Sequence, residues 1–283
     1  MSASVSTVDT MSMTVGFVGA GNFTRALIIG WTSAGILNAE QIWASGPKET
    51  SIAGVKNLGV HTTTSNKECV KDKKVIILSV KPHILPSVLE DIRSVVTRDQ
   101  LVMSVATGVQ LVTIEQRLPD CTRIVRIATA GTTCSVRQAA SVFSVGKWAT
   151  SEDVALVKTL MSGVGICEEC KESLVSAVSA LTAPGHMLLA SEAMADGGVL
   201  VGLPRRLAQT LAAQTMIGIG KLILEMNKHP GVLKDEIASP GGVTIAMIES
   251  LEKAGFRGAI IDSIAEGHKQ SLRLAEQASV NNC

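Results

Sequence analysis

An apolar run from Thr14 to Val18 ends in Gly19-Ala20-Gly21 and passes into an amphipathic segment carrying Ala26, Leu27, Ile28 and Trp31 before Gly35. Strand, tight turn and helix in this order constrain the chain strongly, because a strand that feeds straight into a helix must return beside itself as a parallel neighbour. Further β-like runs occur at Gln41 to Ser45, Val75 to Val80, Leu101 to Ala106, Arg123 to Ala128 and Ala140 to Val145, with helical patterns between most of them. That alternation predicts a mostly parallel sheet with helices on both faces, and ligands at the carboxyl ends of its strands. The expected class of the amino-terminal part is therefore α/β.

The first turn has the chemistry of a dinucleotide seat. Gly19 permits the sharp reversal, and Gly21 lets the backbone approach a pyrophosphate whose charge is stabilised by the amides at the following helix start. Val18, Ala20, Asn22 and Phe23 complete this expected cofactor-binding turn; the third fingerprint position is Thr24 in place of glycine. The second strand ends in Ser45-Gly46-Pro47-Lys48, without the acidic residue that commonly binds the ribose hydroxyls of NAD. A hydroxyl at Ser45 and an ammonium at Lys48 suit a 2′-phosphate, with Asn66 a further contact, so NADPH is favoured over NADH; a solvated loop lysine is the plainer reading of Lys48. Val80, Lys81 and Pro82 after the fourth strand, and Ala106 and Thr107 after the next, lie at the same expected edge.

The second half reads as helices: Leu174 to Leu181, Met187 to Val201, Pro204 to Asn227, and two more after Thr244 and Gly258, with Pro204 in a first helical turn. Thr150-Ser151-Glu152-Asp153 fits the start of the helix that closes the first domain. The expected division is 13–168 for the nucleotide domain, 169–278 for the helical dimerisation and substrate domain, and 1–12 as a disordered Ser/Thr-rich extension. Ala208, Leu211, Ala212, Thr215, Ile219 and Leu222 form one small-residue stripe, and a helical half this apolar predicts a homodimer or larger homo-oligomer. No apolar run is read as long enough to span a bilayer, so no membrane partner is expected. With 26 Lys+Arg against 25 Asp+Glu, 2% aromatic residues and no tyrosine, a nucleic-acid surface is not expected either. Cys69, Cys121, Cys134, Cys167, Cys170 and Cys283 read as reduced thiols, and Cys167-Glu168-Glu169-Cys170 has no partner pair to complete a metal site. The expected compartment is the cytoplasm, with mitochondria the alternative.

Val15-Gly16-Phe17-Val18-Gly19-Ala20-Gly21-Asn22, Val80-Lys81-Pro82-His83-Ile84, Ala195-Asp196-Gly197-Gly198-Val199, Gly202-Leu203-Pro204-Arg205-Arg206, His229-Pro230-Gly231, Leu233-Lys234-Asp235 and Ser239-Pro240-Gly241-Gly242 with Thr244 together resemble pyrroline-5-carboxylate reductases along nearly the whole chain. The resemblance implies an α/β Rossmann-like amino-terminal domain followed by an all-α dimerisation domain that forms an interlocked helical dimer, and NAD(P)H-dependent reduction of 1-pyrroline-5-carboxylate, a small cyclic imine, to L-proline. It places the substrate at Ser239, Gly241, Gly242, Val243 and Thr244, with Thr244 as the catalytic residue whose hydroxyl meets the ring nitrogen. Gly241 and Gly242 at a helix start also expose amides suited to a carboxylate. The chain departs from the family at Arg126 to Thr132, where Asn-Thr-Pro is usual, and at Thr182 to Met187, where Ser-Gly-Ser-Gly-Pro-Ala is usual. These departures leave open a catalytically impaired nucleotide-binding paralogue with the same dimeric fold, and a reductase of another imine or β-hydroxy acid ranks behind it.

Overall fold

The computed structural model describes residues 10–280. Eight strands form one sheet in the order β3-β2-β1-β4-β5-β6-β7-β8: β1 (Val15–Val18), β2 (Ile42–Ser45), β3 (His61–Thr63), β4 (Val75–Leu78), β5 (Leu101–Ser104), β6 (Arg123–Thr129), β7 (Ala139–Val145) and β8 (Gly165–Glu169). Every pairing is parallel except β6 with β7. Strand alternation divides the core between two faces. Val75 and Ile77 of β4 join Phe17, Leu27, Trp31, Phe143 and Leu160 on one side, while Ile76 and Leu78 join Leu89, Ile92, Val102 and Ile124 on the other. Burial on both faces is why β1, β4 and β5 are continuous apolar runs.

Helices α1 (Asn22–Ser33), α2 (Glu49–Lys56), α3 (Asn66–Val70), α4 (Leu85–Ile92), α5 (Leu111–Glu115), α6 (Gly131–Cys134), α7 (Ser151–Ser162) and α8 (Glu172–Thr182) accompany the sheet. Trp31 of α1 is fully buried and donates its indole N–H to the Leu160 carbonyl of α7 at 2.7 Å, so its one polar atom is satisfied. The Thr150 capping box forms: Asp153 Oδ2 accepts the Thr150 amide at 2.9 Å, and the Thr150 hydroxyl accepts the Asp153 amide at 3.3 Å. Helices α9 (Gly185–Leu200), α10 (Arg205–Met226), α11 (Pro230–Ile237), α12 (Val243–Lys253) and α13 (Phe256–Val280) follow.

Several expectations are corrected. The described chain divides into one compact unit that runs to Thr182 and resumes at Gly267, and a second at Ala183–Glu266, in place of a boundary at 168/169. The segment around that expected boundary is β8, paired with β7, and α8 lies on β6 and β7. Its exposed Glu168 and Glu169 suit a sheet edge, where charge discourages further pairing. Strand β3 and helix α11 were not expected, and Pro204 is the residue before α10 instead of its first turn. Of the expected disordered extension, residues 1–9 lie outside the described residues. The next three are held: Gln41 Nε2 donates to the Thr10 carbonyl at 2.7 Å, and Lys74 Nζ donates to Ser12 Oγ at 2.9 Å.

The helical unit has almost no core of its own. Its buried apolar cluster consists of Ala195, Ala208 and Ala212, while Leu200 is 87% and Leu224 74% exposed. Contrary to the sequence reading, the segment 172–200 and α10 are long and apolar enough to cross a membrane by length and composition. Both also carry the kind of exposed apolar face that a second protein chain would cover.

Candidate functional site

The sheet reverses its winding between β1 and β4, the place where an open parallel sheet holds ligands at its carboxyl edge. Register puts Val18 beside Ser45 and Leu78, and Leu78 beside Ser104. The segments that follow these residues, Gly19–Phe23, Val80–Pro82 and Val105–Thr107, are therefore brought to one edge.

Two glycines of the first turn are required for different reasons. Gly19 has φ +112°, and a Cβ there would lie 2.9 Å from both the Ser79 carbonyl oxygen and Oγ, so the fold itself demands glycine. Gly21 has an ordinary φ of −79°, and a Cβ added to it meets nothing within 4 Å. Protein packing does not require glycine at that position; an empty cradle at the start of a twelve-residue helix without a side-chain cap is what a pyrophosphate requires. Thr24, at the third fingerprint position, is fully buried; its hydroxyl donates to the Gly19 carbonyl at 2.7 Å and lies 2.8 Å from Ser79 Oγ. Ser79, which sequence reasoning missed, reaches the Val18 and Gly19 carbonyls at 3.1 Å each. A threonine thus fastens the turn to the end of β4 by hydrogen bonds, where glycine would serve only close packing.

At the end of β2 the expectation changes. Ser45 is fully buried and donates to Asn66 Oδ1 at 2.8 Å, so its hydroxyl holds Asn66 in place of meeting a 2′-phosphate directly. Asn66 also donates through Nδ2 to Asp91 at 3.1 Å, which fixes its amide from both sides. Lys48 is exposed just before α2, where its ammonium is free to approach a phosphate. Under this edge Cys69 is buried and its thiol is pushed up to about 12 by that burial, which leaves it neutral. The altered segment after β6 is accommodated locally: Gly131 opens α6 against the Phe23 ring, where any side chain would collide. Ser141 Oγ donates to Thr129 Oγ1 at 2.9 Å and secures the strand end.

In the helical unit, Ser239-Pro240-Gly241-Gly242 turns into α12. Gly242 donates its amide to the Ser239 carbonyl at 3.1 Å, and Gly241 takes φ +67°. No side chain caps α12, so the amides of Val243 and Thr244 at its start remain available to an anion such as a carboxylate. Thr244 is half-buried and Val243 is 78% exposed. Preceding this turn, His229 caps α11 by accepting the Gly231 amide on Nδ1 at 3.0 Å, and Lys228 pairs with Glu236 at 2.6 Å. A cavity of about 500 Å³ between α9 and α10 is lined by Ser191, Glu192, Asp196, Arg205 and Gln209, with Arg205 bonded to Asp196 at 2.5 Å. The altered segment at 182–187 is the break between α8 and α9, where Pro184 precedes the first turn of α9 and His186 is half-buried. Cys167 is a buried residue of β8 and Cys170 is half-buried just beyond its end, and both are free thiols that belong to no metal-binding cluster among the described residues.

Residues 172–274 match the family described as pyrroline-5-carboxylate reductase dimerisation, and residues 14–108 match that described as NADP oxidoreductase coenzyme F420-dependent. A Bos taurus protein named pyrroline-5-carboxylate reductase 2 is 42% identical over 259 residues, covering 89% of this chain and 81% of that protein. A Methanosarcina acetivorans pyrroline-5-carboxylate reductase is 40% identical over 266 residues, covering 93% and 98%. Among solved structures, the Plasmodium falciparum pyrroline carboxylate reductase with NADP bound has a TM-score of 0.85 at 28% identity, covering 93% of this chain and 98% of that one.

Proposed function

The chain belongs to the pyrroline-5-carboxylate reductase family, and from that premise we propose that it reduces 1-pyrroline-5-carboxylate to L-proline with NAD(P)H. The observation that carries this reading is the pairing, in one chain of this family, of an empty glycine cradle at Gly21 with an uncapped α12 behind Gly241-Gly242. When bound, the reduced nicotinamide supplies the hydride. Gly19 to Phe23 would hold the pyrophosphate, Val80 to Pro82 with Ala106 and Thr107 would flank the nucleotide, and Lys48 with Asn66 would meet the ribose end. The protein's own task is to position the acceptor. The amides of Val243 and Thr244, presented by the Ser239 to Gly242 turn, bind the substrate carboxylate, and the Thr244 hydroxyl oxygen accepts a hydrogen bond from the protonated ring nitrogen. That proton makes the C=N carbon electrophilic, and it stays on nitrogen as the ring becomes a secondary amine.

The dimerisation family match and the bare apolar faces of α9 and α10 support a homo-oligomer acting on a small molecule. Because the two membrane-length segments lie within the matched dimerisation region, a second copy accounts for their surface and neither a membrane nor a nucleic acid is included as partner. The cytoplasm is the proposed compartment, supported by the free thiols at Cys69, Cys121, Cys134, Cys167 and Cys170; fractionation against a mitochondrial marker tests it. The reaction is tested by following NADPH consumption with 1-pyrroline-5-carboxylate and identifying L-proline as product. NADPH binding with no turnover would instead identify an impaired paralogue, the reading that the altered segments at 129–132 and 182–187 favour.

A further inference from the structure

Glu172 is the first residue of α8 and of the matched dimerisation region, yet its carboxylate reaches into the nucleotide sheet. Its Oε1 accepts the backbone amide of Leu111 at 2.7 Å and Nη1 of Arg126 at 3.1 Å. Leu111 opens α5 and ends the loop that begins after β5, the loop that carries Ala106 and Thr107. Arg126 lies on β6 opposite Ser104, the last residue of β5, so one carboxylate ties down the far end of the loop and the strand beside its near end. The middle of the loop is packed as well: a Cβ on Gly108 would stand 3.0 Å from the Ser271 carbonyl oxygen of α13. Arg126 is buried, and that burial favours losing its charge while Glu172 opposes the loss. Among the described residues the loop has no other side-chain anchor at Leu111, whose amide would otherwise be an orphan donor of the α5 start.

We infer that Glu172 is a positioning residue for the nucleotide: it fixes the β5–α5 loop through the Leu111 amide, with Arg126 holding the carboxylate in place. The inference rests on the reading of Ala106 and Thr107 as nucleotide contacts. It makes reach decisive and charge secondary. Glu172→Gln keeps an acceptor at the same distance, Glu172→Asp keeps the charge beside Arg126 but is one methylene too short for Leu111, and Glu172→Ala loses both.

The test measures the NADPH dissociation constant of the full-length oligomer by fluorescence, together with KM for NADPH, KM for the imine, kcat and hydrogen exchange across residues 105–111. Glu172→Asp is expected to weaken NADPH about tenfold and to speed exchange in that loop, with Glu172→Gln remaining within about threefold of the unaltered protein. KM for the imine stays unchanged in both. A purely structural partner of Arg126 gives the opposite ranking: Glu172→Asp is the benign change, Glu172→Gln loses thermal stability, and nucleotide affinity is constant in every folded variant. NADPH binding by Glu172→Asp within a factor of about two of the unaltered protein overturns the inference, and does so even if Glu172→Ala fails to fold. Absence of imine turnover in the unaltered protein would refute the reaction while the binding and exchange series still decided the role of Glu172.

Discussion

Gly19 and Gly21 stand two residues apart in one turn, and the structure predicts that replacing them fails for separable reasons. Gly21→Val puts its side chain into open space at an ordinary backbone angle, so the protein has nothing to clash with it. As the residue capping α1, glycine gives way to valine at a cost of about 1 kcal/mol, partly offset by roughly 0.4–1 kcal/mol of lost unfolded-state entropy. The melting temperature should move by no more than about 3 °C. The same side chain fills the pyrophosphate seat. Losing two charge-assisted hydrogen bonds at about 1.5 kcal/mol each corresponds to a loss of NADPH affinity of about 150-fold. Gly19→Ala is the converse, because φ +112° and a Cβ 2.9 Å from Ser79 strain the fold itself. A left-handed non-glycine residue costs of order 1–3 kcal/mol before the collision is counted, so the melting temperature should fall by at least about 4 °C. Calorimetry and fluorescence titration on the two variants separate the effects. Unchanged NADPH affinity in Gly21→Val, or a loss of stability as large as that of Gly19→Ala, would refute the argument that the Gly21 cradle exists for the ligand.

Thr244→Ala should lower kcat/KM roughly tenfold to hundredfold while NADPH affinity stays constant, because one hydrogen bond to a charged nitrogen is lost; steady-state kinetics beside a binding titration checks both. Sedimentation should find a dimer or larger at micromolar concentration, since a lone helical unit would expose Leu200 and Leu224; a monomer of 29.6 kDa would contradict it. Brief alkylation followed by peptide mass spectrometry should label exposed Cys121 while sparing Cys69 and Cys167, whose buried thiols are each pushed up to about 12; their labelling should wait for denaturant. Ser45→Ala should weaken NADPH by several-fold with little change in melting temperature, since it frees the Asn66 amide from one of its two restraints; equal affinity would make that contact structural only.

The parts of this fold that could be read from sequence are those in which burial and pattern coincide. Strands β1, β4 and β5 are buried on both faces and contain almost nothing but apolar residues, so their runs are plain. The two missed strands are edges: His61-Thr62-Thr63 and Gly165 to Glu169 carry polar or charged side chains outward, and their strand character comes from pairing with β2 and β7. Helix α11 is missed because only Leu233 is buried along its eight residues, too little to establish a helical stripe. In the site, the glycine turn announces itself because its chemistry is in the backbone. Ser45 misleads because a hydroxyl at a strand end states a capacity to hydrogen-bond and nothing about direction. Three-dimensional register turns it inward onto Asn66, so that its hydroxyl restrains a neighbouring side chain. Glu172 was invisible for a related reason: it lies 61 residues from the amide it accepts, and the sequence around it reads as an ordinary acidic helix start. Side chains that act on the ligand itself can be found by composition and spacing, whereas those that hold other residues in place are defined by contacts that only the folded chain creates.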